Sequence, residues 1–324
     1  MPSVSHRRRF LVGLASLLGG AAGSVRAANL SAPLKLIVPT PPGSAADALA
    51  RALSVSLGRQ SGRGVVVENI AGAGSLVGTQ QLARAPKDGL VLGVVSSNHT
   101  IIPGIFKNAP FDAIADFEPI AMIGSLPMML VASNNVGAST AAELVKLAKS
   151  RSTTLAEGLV TGSVYQIASE VFKEQAGIAT NRIFYKGSAQ ITNDLLAGIL
   201  DIAFVSAQGA APHIAAGKLK AIAVNTPTRT EIAPQVPTLA ESGFPKFDVD
   251  AWLAIVSPAG IPTDSAAARR REIEAAMAQP EMKKALQMQG IQLRRMTPAQ
   301  MVEFMKAEVV RNEQVIQRVG VKVD

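Results

Sequence analysis

The residues best placed to do chemistry in this sequence are small ones. Five short turns, each following an apolar run and opening a helical pattern, concentrate glycine, serine and threonine. They read Thr40-Pro-Pro-Gly43-Ser44, Ala71-Gly-Ala73-Gly74-Ser75, Ser96-Ser97-Asn98-His99-Thr100, Thr161-Gly-Ser163 and Lys186-Gly187-Ser188. Such turns leave backbone N–H groups unpaired at the start of a helix, where the peptide dipoles also favour negative charge. One of them alone is how any capped helix begins. Several meeting in one cleft would hold a carboxylate through the main chain, without an arginine clamp. Open α/β sheets bind their ligands at the carboxyl ends of the strands, where these turns fall.

Other residues allow more than one role. Ser44-x-x-Asp47 and Ser163-x-x-Gln166 have capping-box spacing. Asp47 reads as the cap, with ligand contact as the alternative. Arg51, one turn on, either reaches an anion or pairs with Asp47 at i,i+4. The cluster at 96–100 carries more hydrogen-bonding groups than packing requires, so Ser97, Asn98 and Thr100 read as ligand contacts. Lys186 is the cation beside a candidate turn, for a ligand or for solvent. His213, after Pro212, reads as a helix-start residue. Gly72-x-Gly74-x-x-x-Gly78 has a superficial likeness to a dinucleotide fingerprint. It is one residue too long before the third glycine, and no acid follows about 20 positions on.

A catalyst is hard to build from this chain. It has three histidines, His6, His99 and His213, and no cysteine. Disulfides, iron–sulfur clusters, thiolate zinc and cysteine nucleophiles are excluded. Nucleophile-elbow, zincin and P-loop motifs are absent. A hydrolase or isomerase is the alternative from another class, but the nucleophile, base and orienter it needs are missing. The expectation is a binding protein with no metal, no cofactor and no catalysis.

The elements that must position these turns alternate. Apolar runs at 36–38, 65–67, 90–95, 120–123, 128–131, 183–185, 202–205 and 221–224 read as strands. Segments such as 46–58, 163–175 and 190–196 carry apolar residues at helical spacing. The pattern predicts βαβ units and a mostly parallel sheet. From 265 to 317 it is nearly all helix, broken at Pro280, Gly290 and Pro298. Chain length allows two domains, with crossings expected at 128–133 and 250–258. That puts residues 33–128 with 254–324 in one domain and 129–253 in the other.

The first 27 residues read as an export signal. Arg7-Arg8-Arg9-Phe10-Leu11 gives a twin-arginine-like basic start, a short Gly/Ala-rich apolar stretch follows, and Val25-Arg26-Ala27 offers a cleavage site. The mature protein is then expected in the periplasm. Removing residues 1–27 takes away Arg7, Arg8, Arg9 and Arg26 and no acid, which halves the formal charge of +8. The run Arg269-Arg270-Arg271 has no interleaved aromatics and reads as a solvated helix face, so no nucleic-acid partner is expected.

The ordered set of motifs resembles the Bug/TctC family, the extracytoplasmic solute receptors of tripartite tricarboxylate transporters. It includes Val38-Pro-Thr-Pro-Pro-Gly-Ser-Ala-Ala-Asp-Ala-Leu-Ala-Arg51, Val66-Val-Glu-Asn-Ile-Ala-Gly-Ala-Gly74, Pro86-Lys-Asp-Gly-Leu90 and Asp116-Phe-Glu-Pro-Ile120. Tyr185-Lys-Gly-Ser188, Asp194-Leu-Leu-Ala-Gly198, Pro237-Thr-Leu-Ala-Glu-Ser-Gly243 and Ser257-Pro-Ala-Gly260 complete it. The resemblance implies a type II periplasmic-binding fold, two α/β domains with a ligand cleft between them and crossing hinge strands. It implies a monomeric receptor for di- or tricarboxylates, acidic amino acids or related small acids, with transporter membrane subunits as partners. A ligand sensor for a periplasmic signalling protein is the related alternative. The family's ligand loops fall on 40–44, 71–75, 96–100, 161–163 and 186–188. Ser44 stands where the family has a second glycine, and Tyr165, Gln166 and Gln190 also depart from its pattern. Tyr165 and Gln166 are expected to narrow or re-line the pocket.

Overall fold

The computed structural model describes residues 32–150, 154–185 and 187–319. The export-signal reading and Lys186 lie outside the described residues. The chain begins β1 (Leu34–Val38), α1 (Ala45–Ser61), β2 (Val65–Asn69), α2 (Leu76–Ala83), β3 (Val91–Ser96), α3 (Asn98–Ile105) and β4 (Phe117–Ser125). It continues β5 (Met128–Ser133), α4 (Ala141–Ser150), β6 (Leu155–Val160), α5 (Val164–Ala176), β7 (Thr180–Tyr185), α6 (Ser188–Leu196), β8 (Ile202–Ser206), α7 (Ala207–Ala215) and β9 (Leu219–Val224). It closes with β10 (Trp252–Pro258), α8 (Thr263–Ala278), α9 (Pro280–Met288), β11 (Gln292–Leu293) and α10 (Pro298–Val319).

The local reasons are those the residues suggest. Leu49, Leu53 and Leu57 put one buried stripe on α1, and Gly62, at φ 67°, ends it in the left-handed conformation a C-cap favours. Pro280 starts α9 and Pro298 starts α10, where a missing N–H costs nothing. Among the described residues, no helix is long and apolar enough to cross a membrane.

Two sheets form, ordered β11-β4-β10-β3-β1-β2 and β7-β6-β8-β5-β9. Each is covered on both faces. On the first sheet, α1, α8 and α9 bury one face, while α3 and α10 enclose Trp252 on the other. On the second sheet, α4 and α5 cover one face, and α6 and α7 the other. This is the two-domain α/β architecture with a cleft between the lobes.

The sheets are mixed, which corrects the mostly parallel expectation. β1 runs parallel to β2 and β3, and β6 to β7 and β8. β10 is antiparallel to β3 and β4, as β5 is to β8 and β9. The cause is topological. The chain passes between lobes at the edge where the parallel strands end, so each strand that enters from the other lobe must run back against them. Met128 accordingly faces Ser206, the last residue of β8, and Leu253 faces Ser96, the last of β3.

Both segments expected to cross, 128–133 and 250–258, are therefore mostly strands of a single sheet. The crossings fall on Leu126 and Pro127 and on residues 225–251. They lie side by side. The Leu126 N–H donates to the Ala251 carbonyl at 2.6 Å. Asn225 fills the gap beyond: its Oδ1 accepts from the Met128 N–H at 2.7 Å and its Nδ2 donates to the Val249 carbonyl at 3.0 Å.

Two further expectations are corrected. Arg269 is buried against Glu272 at 2.8 Å, and Arg270 bonds Glu118 and the Pro119 carbonyl, so only Arg271 fits the solvated-face reading. His213 sits in the last turn of α7, because the helix begins at Ala207, directly after β8.

Candidate ligand site

The crossing edge decides where the site lies. Turns after β1, β2 and β3 leave the first sheet at the edge where the chain departs through Leu126. Turns after β6, β7 and β8 leave the second at the edge where it arrives at Met128. The two sets therefore face each other across the hinge, as strand-end loops of an open sheet must.

At the first turn, the box read from sequence is formed. Ser44 Oγ accepts the Asp47 N–H at 3.1 Å and bonds Thr40 Oγ1 at 2.7 Å, while the Gly43 N–H donates to Asp47 Oδ2 at 2.9 Å. Gly43 has φ +84°, a conformation that favours glycine. Arg51 pairs with both Asp47 oxygens at 3.1 and 3.0 Å, so the capping and i,i+4 readings of the two residues are both formed. Burial alone would raise the Asp47 carboxyl. Hydrogen bonds from Arg51, Gly43 and Asn69 outweigh it and hold the group below the usual carboxylate range. The side chains cap one another, so the amides of Ala45 and Ala46 have no partner among the described residues. Ser44→Ala should cost about 1 kcal/mol, since it removes a helix cap. Urea denaturation measures that cost, and a loss below about 0.3 kcal/mol would show that the cap contributes little.

The second turn is strained. Gly72 and Gly74 have φ of 147° and 62°, and between and after them Ala73 and Ser75 stand at 43° and 87°. Non-glycine residues in this region are uncommon and collect at functional sites. The third glycine of the apparent fingerprint has a packing reason. A Cβ on Gly78 would meet the Ile70 carbonyl oxygen at 2.3 Å and Pro39 Cα at 2.7 Å. α2 thus lies directly on the first two turns.

The third turn is turned mostly inward. Thr100 is fully buried, its hydroxyl donating to the Ser97 carbonyl at 3.0 Å and accepting from Asn312 Nδ2 at 3.3 Å. Ser97 is buried, and Ser96 and Asn98 stay half-buried at the surface. The hydroxyl of Thr100 is spent on α10, because an Asn on that helix needed a partner in the core.

In the second lobe, Ser163 caps α5. Its Oγ accepts the Gln166 N–H at 3.3 Å and donates to the Val160 carbonyl at 2.7 Å, while Gln166 Oε1 accepts the Gly162 N–H at 2.8 Å. Gln166 is buried in this box, so it does not re-line the pocket as expected. Tyr165 is partly buried, and desolvation pushes its phenol up, with no hydrogen bond to its hydroxyl among the described residues. The amides of Val164 and Tyr165 have no partner among the described residues. At α6, Gly187 provides no side-chain cap, and the first amides of that helix, from Ser188 on, have no partner among the described residues.

A sixth turn was not foreseen. β8 ends at Ser206 and α7 starts at once, uncapped by a side chain, with the Ala207 N–H donating to the Pro127 carbonyl at 2.9 Å. Its signal was faint: a lone serine ending an apolar run, with no acid or glutamine three residues on.

Among the described residues, the candidate turns offer backbone amides and helix dipoles. Among the described residues no cluster of three metal-binding side chains exists. Two surface depressions, of about 460 and 480 Å³, lie elsewhere, between α1 and α9 and beside α2.

A family model described as the tripartite tricarboxylate transporter family receptor matches residues 49–321. The chain is 32% identical to protein BugT of Bordetella pertussis over 317 residues, 97% of each chain. Among solved structures it is similar to the periplasmic binding protein BugD, with a TM-score of 0.76 at 28% identity. The match covers 90% of this chain and 98% of BugD. R. palustris Rpa4515 with adipate gives a TM-score of 0.77 at 25% identity, again over 90% of this chain and 98% of the other. The chain belongs to the TctC family of tripartite tricarboxylate transporter receptors.

Proposed function

We propose that the protein captures a small carboxylate, of the di- or tricarboxylate class, in the cleft between its lobes and presents it to transporter membrane subunits. The observation that carries this reading is that helix starts in both lobes, α1 on one side and α5, α6 and α7 on the other, follow strands that end at the edges where the chain crosses, and that at α1, α5 and α6 the first amides have no partner among the described residues. A carboxylate at each end of a short ligand meets a helix N-terminus in either lobe. Binding both lobes at once favours the closed form, the only way a ligand can shift such an equilibrium. The adipate in Rpa4515 supports the ligand class, and the signal-like residues 1–27 support a periplasmic place of work. Lobe boundaries near residues 128 and 253 suit this reading. The site works by binding alone, since Asp47 is tied to Arg51 and His99 faces the core.

A thermal-shift screen over dicarboxylates, tricarboxylates and acidic amino acids tests the proposal. We expect one class to bind with a Kd of about 1 μM, equivalent to about −8 kcal/mol. At a hundredfold excess over Kd it should stabilise the fold by about 2.7 kcal/mol. A folded protein whose transition no carboxylate moves would end this reading.

A further inference from the structure

The last helix of the chain belongs to the first lobe and reaches into the second. Met301 and Met305, near the start of α10, sit in the first-lobe cluster that contains Trp252. In mid-helix it grips the returning chain: Arg311 Nη1 donates to the Asp248 carbonyl at 2.8 Å, and Glu308 Oε2 accepts from Trp252 Nε1 at 3.2 Å. Its later turns present two faces. Asn312 and Ile316, four residues apart, share one and meet α3. Asn312 Nδ2 donates to the buried Thr100 hydroxyl at 3.3 Å, and a Cβ on Gly104 would stand 3.3 Å from Glu313 Cα, so the two helices lie close. Val315 and Arg318, three residues apart, share the other face. Arg318 Nη1 donates to Glu174 Oε1 on α5 at 2.7 Å. Val315, one turn before it, is 1% exposed in the cluster with Ile167, Val171 and Phe172 of α5.

We propose that α10 is a third, non-covalent link between the lobes, a strap whose distal turns hold α5 and so set part of the ligand affinity from outside the cleft. The chain joins the lobes covalently only along the crossing edge. Glu174 is ten residues on from Val164, so the contact with α10 lies about 15 Å along α5 from the turn that faces that edge. A contact at that distance resists rotation about the crossings with a lever arm. The two faces of α10 differ in strength. Toward α3 there is a buried hydrogen bond and close backbone; toward α5 there is one buried valine and an ion pair half-exposed on both sides, which adds little. Rotation of the lobes therefore parts α10 from α5 and leaves it on α3. In the arrangement held by the strap, Ile105 of α3 already packs on the cluster that includes Val164, so the lobes touch beside the turn at 161–163. Keeping that arrangement populated before a ligand arrives lowers the cost of assembling it. The proposal deepens the receptor reading and rests on it only for the consequence to affinity.

The chain has no cysteine, so two introduced thiols are the only labelling sites. Spin labels at Gln60→Cys on α1 and Lys146→Cys on α4, both exposed, report the lobe separation by electron–electron distance measurement without any ligand. We expect Val315→Ala combined with Arg318→Glu, which trims the apolar contact and sets two carboxylates against each other, to move the distance distribution toward longer separations. Adding Glu174→Arg restores opposite charges and should move it part of the way back. Met305→Ala is the matched control, a buried truncation on the same helix inside the first lobe. It should lower the melting temperature and leave the distances unchanged, as every α10 variant would if the helix served stability alone. Affinity for adipate should fall about fivefold in the double variant and keep the parent's value in Met305→Ala. Should the double variant fail to fold, Arg318→Glu alone, a change at an exposed side chain, carries the same expectation for the distances. Distances equal to the parent's, an equal shift in Met305→Ala, or a shift that Glu174→Arg leaves untouched would overturn the proposal. If neither adipate nor any other carboxylate binds the parent, the receptor reading fails, and the distance measurement still decides the strap.

Discussion

Lys173→Ala should destabilise the protein by about 3–5 kcal/mol, the cost of removing one partner from a buried ion pair. Lys173 lies on α5 with only 6% of its side chain exposed, and its Nζ sits 3.0 Å from Glu157 Oε2 on β6 and 2.9 Å from Glu170 Oε1. Ser169 also donates to Glu157, and so does Thr180, at 2.6 Å. The ammonium is the central cation of the group, with Arg182 near Glu170 at 3.5 Å at its edge. Without Lys173, Glu157 is a buried carboxylate that has lost its ammonium partner and keeps the hydroxyls of Ser169 and Thr180. Replacing both members, as in Lys173→Met with Glu157→Gln, should recover a large part of the loss, because desolvation rather than attraction dominates such pairs. Urea denaturation of the three proteins measures this. A loss below about 1 kcal/mol in Lys173→Ala would show that the cluster is wetter than its burial implies. The consequence reaches the site, since the network holds α5 on β6 and β7, and α5 carries the turn at 161–163.

The second large effect is acid sensitivity centred on His99. Its ring is buried on the first turn of α3, edge-on to Phe117 at 4.6 Å and stacked near Phe111 at 6.5 Å. Nε2 lies 2.7 Å from the Ala113 carbonyl, so the neutral ring donates there and Nδ1 is left bare. Burial drives the imidazole down from its ordinary 6.5 to about 4, and the Ala113 bond offsets only part of that. Because the folded value lies below the unfolded one, the unfolded chain takes up the proton first. The stability from a neutral His99 is complete above about pH 6.5 and drains away as pH falls toward 4, by about 3 kcal/mol in all. Asp250 and Glu308 shift upward on burial and act in the opposite sense, so the comparison with His99→Gln isolates the histidine. That variant can still donate to Ala113 but cannot ionise. Stability measured at pH 7.5 and pH 4.5 should fall about 2.5 kcal/mol further in the parent than in His99→Gln. Equal losses would place the acid sensitivity elsewhere.

Much of this was legible in the residues. The strand runs, the caps at Ser44 and Ser163 and the helical breaks at Pro280, Gly290 and Pro298 are local matters, governed by backbone sterics and by hydrogen bonds within four residues. Of the eight apolar runs read as strands, seven lie within strands and the run 90–95 starts one residue before β3. What stayed hidden was non-local. Thr100 looked like a ligand group because its partner Asn312 lies 212 positions away. Gln166 carried two readings, a capping-box residue and a pocket lining, and its bond from the Gly162 amide gives the first. The turn at Ser206 escaped notice because its carbonyl partner, Pro127, comes from the other crossing segment.

By itself the sequence determined which groups the chain can offer: small residues at strand ends, two histidines beyond the signal-like segment and no cysteine. It also determined where the helices, and so their N-terminal amides, begin, since capping is a short-range contest between side chain and backbone. Only the tertiary structure decided which way those amides face. Their convergence follows from the chain crossing between sheets at the edge where the parallel strands end. That choice sets β5 and β10 antiparallel to their neighbours and brings Asn225 to the boundary between lobes. Strand pairing over such separations depends on packing free energy summed across the whole core, which no local pattern encodes.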